Sequence, residues 1–480
     1  MTVQTSELNT QAVLAMKGAG YYSARTAGAK HAIDRVRPML EDALQSLPQQ
    51  AVLRLADFGA ADGGTSQEMW AGLIAKLRAS GDSRPIEMLY TDLASNDFST
   101  LFRTMQGMQG DTTHAYQNSH ENVFVHGCGT GFHQQLMADA SLCLGFSATA
   151  MHYVSKKPCE IEDHVHMVGA TPEERAQFSA QAAADWEQIL LARAKELSPG
   201  GRFICLNFGI DEKGRYLGHT GGQSMFDNFN RHWRDLRDEG RITEQEFIRA
   251  TFAQHYRTVE EFTDPFNDPS SAVLKAGLKL ISVETRLTPC PYNALYREAS
   301  TKMSSAEYAA SLIPTTRSWS ETVFRTALDS RPEAEIQTLE RKANSTHRAY
   351  LAAEGRAEAL TARLAGLQER YRAVCRELAI GAGANHEIDD DAAVAQAEQA
   401  VAAMEEAAAW SRLDIPVNAE EEASTMATEP EPEADSGEEL SSETAAEGAS
   451  SDPNSDDSDE ASSDLDPSAE LDVEVDESEP

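Results

Sequence analysis

The sequence lacks closely spaced pairs of cysteines. Its 480 residues include six cysteines, and no two of them form a C-x-x-C motif of the kind that binds zinc or exchanges disulfides. The six are Cys128, Cys143, Cys159, Cys205, Cys290 and Cys375. Most lie in apolar or strand-like contexts, so we expect reduced thiols, no metal site and a cytoplasmic location.

Long apolar runs and clusters of basic residues are also missing. No stretch approaches the ~18 apolar residues of a membrane span, and Met1–Gln11 lacks the charged start and apolar run of a secretory signal. Because phosphate binding needs clustered Lys and Arg, the short and scattered basic segments argue against nucleic acid as a partner. We therefore expect a protein that binds neither nucleic acid nor a membrane.

Basic residues disappear altogether near the end of the chain. No Lys or Arg follows Arg412, whereas 24 of the 78 Asp and Glu residues lie in Val417–Pro480, which also lacks aromatic residues. Such a segment cannot bury apolar surface, so we predict a disordered acidic tail over 417–480. A helical linker is predicted over 381–416. The formal net charge of −37 thus overstates the acidity of the body.

Strand-like and helix-like segments alternate through the body, which favours an α/β fold. A clear helix begins at the capping box Thr171–Glu174 and ends before Pro199-Gly200-Gly201. The predicted strands are Ala51–Ala56, Ile86–Tyr90, Val123–Val125, Leu142–Phe146, Arg202–Phe208 and Leu278–Val283.

Two helical regions accompany the predicted sheet. Residues 211–262 are polar and helical, and we expect them to form a cap inserted between two strands. Residues 306–378 are helical as well, and near their end apolar residues recur at alternating steps of four and three. These are Leu360, Leu364, Leu367, Tyr371, Val374 and Leu378. A coiled-coil seam and a terminal helix packed on the domain explain this spacing equally well.

The central chemical signal is a glycine-rich turn after the first strand. Asp57–Thr65 reads D-F-G-A-A-D-G-G-T, and the second strand ends in Asp92. Ligands of a parallel sheet bind at the carboxyl ends of its strands, where a carboxylate can accept both hydroxyls of a ribose. The two acids fit the adenosine of a nicotinamide dinucleotide or of S-adenosylmethionine. Since the loop lacks G-x-G-x-x-G, the ligand without a pyrophosphate is favoured.

Several further segments follow one another in the order of a known family. Met16–Ala24 resembles the motif M-x-G-G-x-G…S-Y-A, Asp57–Thr65 resembles D-L-G-C-S-S-G-x-N, and Asp92–Phe98 resembles N-D-L-x-x-N-D-F-N. Phe146–Pro158 resembles H-S-S-Y-S-L-M-W-L-S-x-x-P, and Gln177–Gly201 resembles Q-F-x-x-D-F…E-L-x-x-G-G. In these motifs the chain resembles the plant SABATH methyltransferases, which make methyl salicylate, methyl benzoate, methyl jasmonate and, in one branch, caffeine.

The resemblance implies a Rossmann-like class I methyltransferase sheet within a domain of residues 1–380, and S-adenosylmethionine as cofactor. Asp57 and Gly59 would line the methionine side of the cofactor and Asp92 would hold its ribose. Leu93 and Phe132 would lie beside the adenine. The full set implied to bind the cofactor is Tyr22, Ser23, Asp57, Gly59, Asp92, Leu93 and Phe132.

The substrate wall departs from the family pattern. Tyr153 replaces a tryptophan that touches the substrate carboxylate, and Lys30 replaces a glutamine that does the same. Thr149 is smaller than the family's tyrosine, and His152 is more polar than its methionine. A larger or more polar acid is therefore expected, with Lys30 as a charged anchor unless it is a surface residue of the first helix. The metal-binding stretch of some plant members reads Ala250–Ala253 here, so no metal is expected.

The expected reaction is methyl transfer to the carboxylate of a small-molecule acid. A carboxylic acid has a pKa near ~4 and is ionised at neutral pH, so positioning suffices and we expect no catalytic base. The resemblance leaves a homodimer open, because plant relatives often form one. Two alternatives stay open: transfer to nitrogen or to a phenol oxygen, and a non-catalytic scaffold built on a methyltransferase fold.

Overall fold

The computed structural model describes residues 16, 19–219, 224–298 and 302–381. The predicted acidic tail over 417–480 lies outside the described residues, and so does the predicted linker beyond its first residue, Gly381.

A five-stranded parallel sheet forms the centre of the fold. Its strands are β1 (Leu53–Phe58), β2 (Ile86–Thr91), β3 (Val123–Cys128), β4 (Leu142–Ala148) and β5 (Leu197–Leu206), in the order β3-β2-β1-β4-β5. The α/β prediction is confirmed, as are five of the six predicted strands. The strand order reverses between β1 and β4, and such a switch point opens a crevice at the carboxyl ends of the strands.

Thirteen α-helices and a second, two-stranded sheet surround the central sheet in the described residues. The small sheet pairs β6 (Gly209–Ile210) with β7 (Arg257–Thr258) in parallel. No described helix is both long enough and apolar enough to span a bilayer. In chain order the helices are α1 (Tyr21–Arg25), α2 (Ala27–Ser46), α3 (Gln67–Ala79), α4 (Phe98–Met105), α5 (Tyr116–Ser119), α6 (Pro172–Glu196), α7 (Met225–Asp238), α8 (Glu244–Arg249), α9 (Val259–Asn267), α10 (Ala272–Lys275), α11 (Pro291–Arg297), α12 (Ser305–Ala327) and α13 (Glu333–Gly381).

The inner strands are apolar because helices cover both faces of the sheet. Leu55, Met88 and Leu144 are fully buried on adjacent strands, and Trp70 of α3 packs edge-on against Phe146 of β4. Helix α6 begins with the predicted capping box: the Thr171 hydroxyl accepts from the Glu174 amide, and the Glu174 carboxylate accepts from the Thr171 amide. These elements fix the edge of the sheet where the glycine-rich turn begins.

A second core lies between the cap region and the last helices. Helices α7 and α8, strand β7 and the start of α9 fall within the predicted cap at 211–262. Phe229 of α7 packs against Phe252, Trp319 and Phe324, which connects α7 to α12. The cap is therefore joined to the C-terminal helices by aromatic packing.

The strand predicted at Leu278–Val283 does not form. Residues 278–290 have no regular secondary structure, and Leu280, Ile281 and Val283 are 43%, 71% and 46% exposed. Side-chain hydrogen bonds hold this stretch instead of a backbone ladder. Arg35 of α2 donates to the carbonyl of Leu287 at 2.6 Å, and this contact draws the segment towards the helix. A segment rich in apolar residues forms a strand only where a neighbouring strand is available for pairing.

Helix α13 includes all the predicted seam positions and continues through Gly355 and Gly366. Its first turns are packed on the domain, since Ile336 and Leu339 are buried with the cap core. Gly355 lies against the Tyr308 ring, and its carbonyl accepts from the Tyr296 hydroxyl at 2.9 Å. Leu367, in contrast, is 50% exposed. The start of the helix is thus a packed terminal helix, and the seam further along stays a prediction.

The ion pair between Glu246 and Arg331 should stabilise the junction of α8 with the turn between α12 and α13. The two side chains form a bidentate pair at 2.6 and 2.7 Å and are only 9% and 17% exposed. Glu246→Gln keeps the oxygen that caps α8 but removes the charge, and we expect it to lower the free energy of unfolding by about 2 kcal/mol at pH 7 in urea titrations.

The loss should depend on pH. Arg331 lowers the pKa of Glu246 to about 2, so its stabilisation is present above the unfolded pKa of about 4.3 and disappears as the pH falls towards 2. The difference between the two proteins should shrink over that range. Glu244→Gln, in the first turn of the same helix and paired with Arg237 at the surface, is the control. Equal losses from both variants would contradict the prediction.

Candidate functional site

The glycine-rich turn after β1 is held in a tight and strained conformation. The amides of Gly59 and Ala60 both donate to the carbonyl of Thr91, at 2.8 and 3.0 Å. Gly59 has a φ of 78°, and a side chain there would come within 2.5 Å of Ala150. Ala61 also has a positive φ, of 50°, which is costly for alanine and is typical of functional loops. The sequence thus brings a bare backbone to the carboxyl edge of the sheet.

Asp57, at the end of β1, is a buried carboxylate with neutral hydrogen-bond partners. Its Oδ2 accepts from the Ser66 hydroxyl at 2.6 Å and from the Trp70 indole at 3.0 Å. Burial raises the pKa of Asp57 to about 6, although both hydrogen bonds favour the ionised form. The two hydrogen bonds therefore hold the carboxylate in place, but they offset only part of the cost of burying its charge.

Two further carboxylates flank the turn. Asp92, after β2, accepts from the amides of Ala61 and Leu93 at 2.7 and 2.8 Å. Asp62, inside the turn, accepts from the amides of Ser23 and Gly64 at 3.1 and 3.3 Å. Burial raises the pKa of both carboxyls. The sequence analysis did not single out Asp62, although a second acid within a glycine-rich turn was a visible signal.

In the part of the chain that the structure describes, the three carboxylates have no cationic partner. Among the described residues, no Lys, Arg or His nitrogen lies within 4 Å of Asp57, Asp62 or Asp92. Buried charge is normally paired, so an unpaired cluster at a crevice fits a cationic ligand and would repel a phosphate. The edge of the sheet is thus suited to a ligand that carries positive charge.

Aromatic and apolar side chains form the opposite side of this crevice. The Phe132 ring is 3.6 Å from the position that a side chain at Gly59 would take, and Leu93 lies against Gly131. Phe132 and Leu93 line one cavity together with Asp57, Gly59 and Asp92. The structure therefore brings these five predicted residues together around a space suited to a flat ring.

A second group of predicted residues lines the same cavity beyond β4. Thr149 has a φ of 52°, unusual for a β-branched residue, and its amide donates to Leu206. Burial raises the pKa of Tyr22 to about 12 and raises that of Tyr153 further. Both phenols therefore stay protonated at neutral pH and can donate a hydrogen bond into the cavity. Gln254, which the sequence analysis missed, pairs with Tyr153 through a β-bridge.

His152 is a neutral part of this wall. Its Nδ1 lies 3.2 Å from the Asn207 amide oxygen, and its ring packs between Tyr153, Phe208 and Tyr256. Burial lowers the pKa of His152 to about 3. The imidazole is thus uncharged at neutral pH and contributes shape and a fixed hydrogen bond.

The structure does not bring Lys30, the predicted anion anchor, to the cavity. It is on α2, where its ammonium forms an ion pair with Glu68 of α3 at 2.7 Å. Both side chains are about two-fifths exposed, and Lys30 is not among the cavity-lining residues. The helical register turns its neighbours Gly28 and Ala29 towards the cavity instead. Ser23 does not line the cavity either and instead fixes Asp62 through its amide.

The cavity has a volume of about 2870 Å³ and extends from the glycine-rich turn past β5 to the cap. A ligand site typically measures 300–1,000 Å³, so this space has room for two ligands side by side. In the described residues no group of three or more His, Cys, Asp or Glu side chains is arranged to hold a metal ion.

Comparison with known proteins gives a family match over most of the chain. A family model described as SAM dependent carboxyl methyltransferase matches residues 10–349. Methyltransferase FUS9 of Gibberella moniliformis is 29% identical over 191 residues, 39% of this chain and 50% of the relative. Gibberellic acid methyltransferase 1 of Arabidopsis thaliana is 26% identical over 254 residues, 47% and 65% of the two chains. The chain thus spans about half to two thirds of these relatives.

A solved structure, "Loganic acid methyltransferase with SAH", aligns with 69% of this chain and 93% of its own, at 18% identity and a TM-score of 0.49.

The buried charge of Asp57 should lower stability at neutral pH. Its folded pKa of about 6 exceeds the unfolded value of about 3.9, so the folded state holds the proton more tightly. The stabilisation is complete below pH ~4 and is lost as the pH rises through 6. Asp57→Asn keeps an oxygen for Ser66 and Trp70, and we expect it to raise the free energy of unfolding by about 2 kcal/mol at pH 8.

The gain should vanish as the pH approaches 4, which denaturant titrations at several pH values would show. Asp264→Asn, at an exposed position of α9, is the control and should change stability by a few tenths of a kcal/mol at most. A stability gain that does not change with pH would show that the charge of Asp57 is not its cause.

Proposed function

The chain belongs to the family of SAM-dependent carboxyl methyltransferases, and from this premise we propose that it transfers the methyl group of S-adenosylmethionine to the carboxylate of a small-molecule acid. The product is a methyl ester. The whole protein's activity is a proposal because the matches to curated relatives extend over only part of their length.

The observation that carries the proposal is the cluster of Asp57, Asp62 and Asp92, which has no cationic partner among the residues that the structure describes. S-adenosylmethionine has a sulfonium and an ammonium group, so a buried negative cluster attracts it. The pyrophosphate of a nicotinamide dinucleotide would be repelled by the same charges. We assign Asp57 and Gly59 to the methionine side of the cofactor and Asp92 to its ribose, with Leu93 and Phe132 beside the adenine.

When bound, S-adenosylmethionine supplies an electrophilic methyl group. The chain's own residues then need to hold one carboxylate oxygen in line with that group and to exclude water. Tyr153 is assigned to this task because its phenol stays protonated and lines the cavity. An acid with a pKa near ~4 arrives ionised, so no proton has to be removed before transfer, and His152, whose pKa burial lowers to about 3, is a weak base. Catalysis by positioning, without a general base, follows from these protonation states.

The shape of the wall favours a bulky acid. Thr149 takes little space on the side of β4, and the cavity continues past it to Phe208 and Tyr256 below the cap. Polar side chains accompany the aromatic ones, since Asn207 and Gln254 line the same region. We therefore propose an acid with more volume, or more polar groups, than a single substituted ring.

The homodimer, the cytoplasmic location, the extent of the domain over 1–380 and the absence of nucleic-acid and membrane partners stay predictions. Light scattering of the purified chain would test the dimer directly.

Cofactor binding should depend on Asp92. Calorimetry with S-adenosylhomocysteine should show micromolar binding to the full chain, weakened at least tenfold in Asp92→Asn because the ribose loses a charged acceptor. Asp264→Asn should bind like the unchanged protein. No binding by a folded, unchanged chain would contradict the proposal and favour a scaffold role for the fold.

The acceptor is identified by transfer of labelled methyl groups to a panel of carboxylic acids, each matched to its amide, amine or phenol analogue. Base-labile label on the acids alone supports ester formation. Label that resists mild base and appears on amines or phenols would show transfer to nitrogen or phenol oxygen instead.

Tyr153→Phe should raise the KM for the acid about tenfold, because one hydrogen bond to a charged group is lost, with a smaller change in kcat. Tyr296→Phe is the matched control, since its hydroxyl binds the carbonyl of Gly355 and its side chain is not part of the cavity wall. Equal kinetics for Tyr153→Phe and the unchanged enzyme would remove Tyr153 from the substrate site.

A further inference from the structure

A fully buried ion pair lies at the end of helix α6. Arg193 and Glu196 are one helical turn apart and both are 0% exposed. The Arg193 Nε donates to Glu196 Oε2 at 2.6 Å, and its Nη2 donates to Oε1 at 2.8 Å. Replacing a buried ion pair by apolar side chains often leaves the free energy of unfolding unchanged or raises it. A contribution to stability therefore does not explain why the pair is there.

The pair instead satisfies the backbone of a neighbouring loop. Arg193 donates to the carbonyls of Phe132 and Gln134, at 2.9 and 2.8 Å. Glu196 accepts from the amides of Leu136 and Met137, the second at 3.3 Å. Four backbone groups of the loop between β3 and β4 therefore depend on two side chains of α6. This loop has no strand or helix of its own over 129–141.

The same guanidinium reaches the start of the glycine-rich turn. The Cζ atom of Arg193 lies 4.2 Å from the centre of the Phe58 ring. Phe58 directly precedes Gly59. The Phe132 ring in turn lies beside Gly59 across the crevice. Arg193 is thus in contact with both the element that carries Phe132 and the element that carries Gly59, and it fixes the gap between them.

We propose that Arg193 and Glu196 are positioning residues for the cofactor, which hold the 132–137 loop so that Phe132 forms the adenine wall of the site. The inference rests on the proposed function. The pair touches no ligand itself and acts through Phe132. Its contribution is the fixed width of a slot for a flat ring, which a mobile loop would provide only part of the time.

The proposal is tested by a double-mutant cycle on ligand affinity in the full chain. The single variants are Arg193→Lys, which loses the bidentate geometry, and Phe132→Ala, which removes the wall, and the double variant combines them. Each is titrated with S-adenosylhomocysteine in a calorimeter. We expect each single variant to bind about tenfold more weakly, and the double variant to bind no more weakly than Phe132→Ala alone.

The second probe is 5′-methylthioadenosine, which has the adenosine half of the cofactor without its amino acid. Because the pair acts on the adenine wall, Arg193→Lys should weaken this probe by the same factor as S-adenosylhomocysteine. Lys195→Gln, at an exposed position between the two residues, is the matched control and should bind both probes like the unchanged chain.

The outcomes separate this inference from the proposed function. An unchanged chain that binds neither probe overturns both. Binding by the unchanged chain with additive losses in the cycle, or with a loss confined to S-adenosylhomocysteine, overturns the positioning role alone. Should Arg193→Lys fail to fold, Glu196→Gln replaces it, since glutamine keeps an oxygen for the Leu136 and Met137 amides. Failure of both variants to fold would make the pair an element of stability and would also overturn the proposal.

Discussion

Buried negative charge without a counterion among the described residues is the constraint around which this structure is organised. Asp57, Asp62 and Asp92 meet at the carboxyl edge of the sheet and accept hydrogen bonds from hydroxyl, indole and amide groups of the described residues. Burial disfavours the charged form of each carboxyl. A fold that keeps such a cluster gives up stability in its free state and regains it when a cation binds. A crevice with this charge is suited to a positively charged cofactor.

The scaffold around the cluster supplies rigidity where the local backbone is strained. Positive φ angles at Gly59, Ala61 and Thr149 lie on the turns that follow β1 and β4, the two strands on either side of the switch point. Strain of this kind persists only where the surroundings hold it in place. Here Thr91 and Leu206 do so, each accepting hydrogen bonds from a strained turn. The parallel sheet therefore fixes two turns that line the cavity.

The structure brings the predicted residues at the strand ends together but leaves Lys30 outside the cavity, for a physical reason. Strand ends in a parallel sheet share one edge, so Asp57 and Asp92 could be placed together from the pattern alone. Lys30 lies on a helix, where a step of one residue turns a side chain by 100°, and the resemblance alone did not fix which face met the cavity. The strand predicted at Leu278–Val283 does not form, because the sequence of a segment does not show whether a neighbouring strand is available to pair with it. The Arg193–Glu196 pair could not be predicted, because its partners are backbone groups of an irregular loop whose conformation no sequence pattern describes.

The outward position of Lys30 also makes chemical sense. Methyl transfer from a sulfonium to a carboxylate removes both charges, so the transition state carries less charge than the bound reactants. A lysine at the carboxylate would stabilise the ionised acid more than the transition state and would raise the barrier. Under the proposed function, the protonated Tyr153 and the neutral His152 would orient the acid with a smaller penalty of this kind. A wall of neutral donors also holds the uncharged ester weakly, since the ester accepts poorer hydrogen bonds than the carboxylate. The same neutral wall thus favours both the chemical step and the departure of the product.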